Sequence, residues 1–245
     1  MRSTQLLAVL LILSSACAGA KPDRIYPAIV DLKASNHTGP GGFCAGFGYR
    51  GYVVTARHCI VDAKRVRIAG YSESYKDTEV LAQGPEDIAL VKRQPNSPLM
   101  DLERAPSPFE AEEVRSVGHP KRNMFHATHG MYEGKVTTAT GSYVRSSARV
   151  RRGDSGGALV NPADQVLGVT VIRAEFSDGT VASYAVHISR VDDMIERYEA
   201  AVRDFGDELG VKNLPLVIAP PMVIDLDVMP DLEDEDLPFF NPFEN

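Results

Sequence analysis

The spacing of apolar and polar positions changes character three times along this chain. Ile25 to Leu32 is an apolar, β-branched run that predicts an opening strand, closed by a Gly-Pro-Gly-Gly turn at residues 39–42. Phe47 to Thr55 and Arg65 to Ala69 alternate as strands, and Glu79 to Ala82 and Asp87 to Lys92 continue the series. Gly46 to Thr55 reads as a hairpin around Gly48-Tyr49-Arg50-Gly51. Short strands at hairpin spacing are the pattern of a barrel or a sandwich. Residues 94–112 carry Pro95, Pro98, Pro106 and Pro108 among charges and read as a linker between two halves. The second half opens with Val114-Arg115-Ser116-Val117-Gly118-His119-Pro120, read as a Gly-x-Pro turn, and runs through Thr128-His129-Gly130 to Gly134-Lys135-Val136. Gln165 to Arg173 and Val181 to Ile188 complete the strands. The period then becomes helical. Val191, Met194, Ile195, Tyr198, Ala201, Val202 and Phe205 form an apolar stripe, with Ser189 and Asp192 as a capping box and Gly206 or Gly210 near the end.

From Asn213 onward the pattern is lost. The remaining residues hold eight acidic side chains, six prolines and no lysine or arginine. The formal charge of the whole chain is −7, so everything before this tail is close to neutral. A charged, Pro-broken segment of this kind is expected to be disordered. With 245 residues and 44% hydrophobic content the chain suits one large β domain or two small ones. The charge gives no general basis for nucleic-acid binding, and no apolar span after the N-terminus has the length of a transmembrane helix.

The first residues match an export signal. Arg2 supplies the positive start, Leu6 to Leu13 the apolar stretch and Ala18-Gly19-Ala20 the cleavage site, so the mature chain is expected from Lys21 in a secreted or periplasmic location. Leu13-Ser14-Ser15-Ala16-Cys17 leaves open a lipoprotein box with Cys17 as a lipid anchor. The expected organisation is a signal peptide at 1–20, a first β-barrel at 21–103, a second at 104–190, a helix at 191–210 and an acidic tail at 211–245.

Candidate chemistry gathers at three places. Arg151-Arg152-Gly153-Asp154-Ser155-Gly156-Gly157-Ala158-Leu159 puts a serine between glycines at a turn feeding an apolar strand, where the amides of Gly153 and Ser155 can point at one developing oxyanion. Upstream stand Thr55-Ala56-Arg57-His58-Cys59 and Glu86-Asp87-Ile88-Ala89-Leu90. A serine hydroxyl needs a neutral imidazole to take its proton, and the imidazole needs a carboxylate on its other nitrogen.

The order His, Asp, Ser in these contexts resembles the chymotrypsin-fold (trypsin-like) serine peptidases, specifically the bacterial HtrA type with a single peptidase domain. The resemblance implies an all-β fold of two antiparallel six-stranded β-barrels with a C-terminal helix. It implies His58 as general base, Asp87 as the group that orients it, Ser155 as nucleophile, and Gly153 and Ser155 as the oxyanion hole. It also implies a disulfide between Cys44 and Cys59; two free thiols are the other possibility, and no paired spacing suggests a metal. His119, His126 and His129 fit no common ligand pattern and read as exposed or turn histidines. No cofactor is expected, and the oligomeric state is open.

Two departures from the family stand out. Zymogens of the family free an Ile-Val-Gly-Gly terminus that pairs with the aspartate before the serine, whereas this chain has Ile25-Tyr26-Pro27-Ala28, so Asp154 needs another partner such as Arg57 or Arg152, unless it serves only the turn. The position six before Ser155 is Arg149 rather than the aspartate of trypsin. Arg149 and Arg152, with His187 on the strand that lines the pocket in relatives, are the candidate specificity residues, favouring acidic protein or peptide substrates. The expected function is a secreted serine endopeptidase acting through an acyl-enzyme; the alternative is a noncatalytic secreted binding module on the same fold.

Overall fold

The hairpin expected around Gly48 to Gly51 forms there because Arg50 and Gly51 both take positive φ, +49° and +84°, as a two-residue turn between right-twisted strands requires. The computed structural model describes residues 29–34, 43–61, 63–70, 76–106, 112–121, 124–138, 141–176, 179–209 and 216–217. The signal segment, Cys17, the turn at 39–42 and the acidic stretch after residue 217 lie outside them.

The hairpin joins β2 (Phe43–Tyr49) to β3 (Tyr52–Ala56). β1 (Ile29–Ala34) pairs β2 and β4 (Arg65–Ala69), β4 pairs β5 (Lys76–Gln83), and β3 pairs β6 (Ile88–Lys92). A further antiparallel pairing of β5 with β6 makes the circuit of six strands continuous. The second half is a closed barrel of β7 (Glu113–Lys121), β8 (Met124–Thr138), β9 (Gly141–Ser146), β10 (Ala158–Val160), β11 (Val166–Glu175) and β12 (Val181–His187). This is the chymotrypsin-like architecture. Phe47, Val53, Val54, Leu90 and Val91 fill the core of the first half, and Val114, Val144, Leu159, Leu167 and Ala185 form a cluster in the second.

At three places the structure departs from the local sequence pattern or adds to it. Gly118-His119-Pro120 lies inside β7 rather than in a turn; the register with β8 shifts between Gly118 and Lys121, and such an irregularity accommodates a proline that has no N–H to donate. The linker is packed against both halves: Leu102 N–H donates to Gly48 O at 2.9 Å, Ala105 N–H donates to Val166 O at 2.9 Å, and Leu99, Leu102 and Ala105 are buried. Within the stretch expected to be disordered, Leu216 and Val217 form β13, which pairs in parallel with β5 at Ala82 and Gln83.

Helix α1 (Ile188–Leu209) starts three residues earlier than the apolar stripe suggested. Ser189 and Asp192 do not form the expected capping box. His187, the residue before the helix, fills the capping role, its Nδ1 accepting the backbone N–H of Ser189 at 3.2 Å. Burial and the nearby Lys135 and Arg104 charges lower the pKa of His187, which favours this neutral acceptor form. Asp192 instead turns toward the first half, accepting hydrogen bonds from Tyr49 Oη at 2.8 Å and Arg104 at 2.9 Å. Val191, Met194 and Ile195 are fully buried, each contributing on the order of 2 kcal/mol. α1 packs on β11 and β12 and hydrogen-bonds to the β2–β3 hairpin, so it joins the two halves. No helix among the described residues is long and apolar enough to cross a membrane.

Candidate active site

A short 3-10 turn, Arg57–Cys59, follows β3 and carries His58 at the edge of the first barrel. Its neighbour in space is the turn before β6, where Asp87 adopts φ +59°, a left-handed conformation rare for a residue with a side chain. Three bonds hold it there. Its carbonyl accepts Arg57 N–H at 3.0 Å, its Oδ1 accepts His58 N–H at 2.8 Å, and its Oδ2 lies 2.7 Å from His58 Nδ1. Both carboxylate oxygens therefore engage the histidine, one through its backbone and one through its ring, which fixes ring orientation and favours the Nδ1–H tautomer. Asp87 is buried, and the His58 side chain is 23% exposed, so the ring opens toward solvent. Burial disfavours the charged imidazole, but the Asp87 carboxylate outweighs burial and the Arg57 charge, and the His58 pKa stands above its ordinary value.

The neighbouring acid has a separate task. Glu86 is buried and bound by the Arg190 guanidinium at the start of α1, with Nε at 2.9 Å from Oε1. The helix thus clamps the turn that presents Asp87.

Ser155 stands half-buried on the turn before β10. Its carbonyl accepts Ala45 N–H at 2.8 Å and lies 3.8 Å from Cys59 Sγ, which joins the serine turn to the histidine turn across the two barrels. The glycines after it are sterically required. A Cβ on Gly156, which has φ +81°, would overlap the Ala45 carbonyl and the Thr55 hydroxyl, and one on Gly157 would overlap the Val117 carbonyl. The intervening amides are committed: Asp154 N–H donates to Arg151 O, Gly156 N–H to Thr170 O and Gly157 N–H to Asp154 O. Among the described residues the N–H groups of Gly153 and Ser155 donate to no backbone acceptor outside the strands. Gly153 reaches φ +98°, a conformation natural to glycine.

Cys44 and Cys59 are joined, with Cα atoms 6.1 Å apart, and close a loop with a sequence separation of 15. Their sulfurs and a His58 ring nitrogen lie within 4.8 Å of one another, but the sulfurs are spent on each other and offer no thiolate to a metal.

The arginines divide. Arg145 is engaged, with Nε 3.0 Å from Glu133 and its guanidinium 5.3 Å from the Phe176 ring centroid. Arg149, Arg151 and Arg152, which precede Ser155 in sequence, are exposed. His187 lines a cavity with Arg104, Ala105, Leu167 and Ile188 at the start of α1. Of the three clustered histidines only His129 is exposed, and it pairs with Glu113 at 2.7 Å. His119 is 3% exposed and His126 sits within 3.5 Å of Asp154, which corrects the reading of both as surface or turn residues and of Arg57 or Arg152 as partners of that aspartate. Sequence reasoning missed His126 because only the β7–β8 register, which sets it opposite Gly118, brings it to the serine turn.

Residues 41–169 match the trypsin-like peptidase domain family. The chain is 28% identical over 167 residues to the mitochondrial serine protease HTRA2 of Bos taurus, covering 64% of this chain and 36% of that protein. It is 21% identical over 174 residues to the serine endoprotease DegS of Haemophilus influenzae, covering 66% and 51%. It therefore spans about half or less of the length of these relatives. Among solved structures, the serine endoprotease from Yersinia pestis superposes with a TM-score of 0.62 at 22% identity, covering 74% of this chain and 65% of that one. The Rv3671c protease in its inactive form gives a TM-score of 0.60 at 20% identity, covering 71% and 90%.

Proposed function

Because the chain belongs to the trypsin-like peptidase domain family, we propose that it is a serine endopeptidase that cuts peptide bonds through an acyl-enzyme on Ser155. The observation that carries this reading is the double engagement of His58 by Asp87, at 2.8 Å through the backbone and 2.7 Å through the ring. A histidine whose Nδ1 is held by a carboxylate in this way can use its other ring nitrogen, Nε2, as a general base. Ser155 Oγ attacks the scissile carbonyl while His58 Nε2 takes its proton, and the carbonyl oxygen becomes an oxyanion against the Gly153 and Ser155 amides. The tetrahedral intermediate collapses, the C–N bond breaks, and His58 returns the proton to the departing amine. Water then enters, gives a proton to His58 and attacks the acyl carbon. The C–Oγ bond breaks, the acid leaves, and Ser155 recovers its proton.

The substrates are proteins or peptides, met outside the cytoplasm. The Arg2-to-Ala20 pattern and the Cys44–Cys59 disulfide support export, as does likeness to a probable periplasmic serine protease of Haemophilus influenzae, 26% identical over 183 residues. The test is labelling of the purified mature protein with a fluorophosphonate. Only an activated serine reacts, so label is expected on Ser155 and is lost in Ser155→Ala and His58→Ala. An unlabelled, folded wild-type protein would leave the cleft as a binding surface and overturn the enzymatic reading.

A further inference from the structure

The turn that carries Ser155 is built around a buried carboxylate. Asp154 is 1% exposed, its Oδ2 accepts Arg151 N–H at 2.8 Å, and its Oδ1 has no hydrogen-bond partner among the described residues. Leaving a carboxylate buried without a counter-charge is costly. Gly118 on β7 backs onto it so closely that a Cβ there would lie 2.8 Å from both Asp154 Cα and Oδ1. From β8, His126 stands in register with Gly118, and its Nδ1 lies 3.5 Å from Asp154 Oδ2, in contact but short of hydrogen-bond geometry. The charged groups acting on Asp154 are this histidine and Arg151 of its own turn. His119, next to Gly118, turns its ring edge-on to Phe125 at 6.4 Å, and burial lowers its pKa to about 4, so it stays neutral.

We propose that His126 is a positioning residue for the serine turn: it shares one proton with Asp154 across the Nδ1···Oδ2 contact and so holds the Gly153 and Ser155 amides where an oxyanion forms. The proposal rests on the peptidase reading given above. One proton serves two sites, as imidazolium with carboxylate or as imidazole with carboxylic acid, and both forms balance the buried charge. Burial raises the pKa of Asp154 against the opposing effects of the Arg151 amide and the His126 charge, so the carboxyl keeps its proton to higher pH than an ordinary aspartate. The His126 side chain is 21% exposed, which gives solvent access to the pair. When the pH rises far enough to remove the shared proton, an uncompensated carboxylate remains in the turn, and the oxyanion donors lose their support. The pair therefore governs the alkaline limb of activity, while His58 governs the acid limb.

The test uses kcat/KM against pH for the mature wild-type protein, His126→Gln, Asp154→Asn and the double variant. His126→Gln removes the shared proton; its alkaline limb is expected to move to lower pH, with kcat/KM above neutrality reduced by roughly tenfold or more, the scale of a weakened oxyanion donor. Asp154→Asn cannot ionise, so adding it to His126→Gln is expected to restore much of that loss and flatten the limb, a coupling that a packing role for the histidine would not show. An alkaline limb unchanged in His126→Gln, or a double variant no better than the single, overturns the proposal and leaves the peptidase reading intact. The amide resonances of Gly153 and Ser155 give a readout that needs neither turnover nor a folded His126 variant. They are expected to shift through the same alkaline transition in wild type and not in Asp154→Asn, and a wild-type turn silent to pH also overturns the proposal. If that shift occurs in a protein that neither hydrolyses peptides nor takes a fluorophosphonate label, the peptidase reading fails and the proton-sharing pair stands.

Discussion

Asp87 and Glu86 are adjacent, equally buried and acidic, yet their surroundings give them different work. Asp87 faces His58, whereas Glu86 faces Arg190. Asp87→Asn is expected to lower turnover by about 10⁴, because the amide favours the wrong imidazole tautomer, while Glu86→Gln is expected to lower the melting temperature and spare most of the turnover. Steady-state kinetics and calorimetry on the two variants check the assignment, which is wrong if their effects are exchanged. The raised His58 pKa adds a sign: the base works only when neutral, so activity is lost as pH falls through a value above the ordinary ~6.5, visible as the acid limb of kcat/KM. Arg149 and Arg152 are exposed and precede Ser155 by six and three residues, and positive charge beside a cleft attracts negative substrates, so peptides with acidic residues beside the cut are expected to outcompete lysine-bearing ones. Changing both to glutamate is expected to reverse that ratio, by roughly fivefold for each exposed charge and less in high salt. A competition assay that shows no change in the ratio would assign both arginines to the solvated surface.

Elements whose identity rests on local pattern were legible in the chain. The Tyr49-Arg50-Gly51 turn, the alternation of Arg65 to Ala69 and the apolar stripe of α1 each carry their cause within a few residues. The histidine, aspartate and serine motifs stand out in the chain for a like reason, since each combines a reactive side chain with the glycines, cysteine or apolar residues that its local geometry requires. What was hidden depends on partners distant in sequence. Asp192 looked like a helix cap, but Tyr49 and Arg104 claim it from 143 and 88 residues away. Pro120 looked like a turn until the β7–β8 register placed it at an irregularity inside a strand. The role found for Asp192 predicts that Asp192→Ala, which leaves Tyr49 Oη and two arginines without their acceptor, lowers stability by about 2 kcal/mol, whereas a helix cap placed elsewhere would not compensate. Urea denaturation of the variant checks this, and a loss near zero would mean that water replaces the carboxylate freely.

Across the whole molecule, the two barrels meet through the serine turn, the packed linker and α1, while the disulfide staples the first barrel alone. Replacing both Cys44 and Cys59 by serine opens the cross-linked loop, and the expected cost is roughly 3 kcal/mol, read as a drop in melting temperature, with activity retained below that temperature because the Asp87 bonds to His58 do not involve sulfur. A variant that melts with the wild type would show that the reduced chain already keeps the turn in place. The attachments of α1 also set an order in time. Glu86 and Tyr49 leave the ribosome early, while Arg190 and Asp192, which bind them, follow 104 and 143 residues later. During synthesis, therefore, the turn bearing Asp87 stays unclamped until nearly all of the described chain has emerged, and the pairing of His58 with Asp87 is expected to be fixed only as synthesis ends.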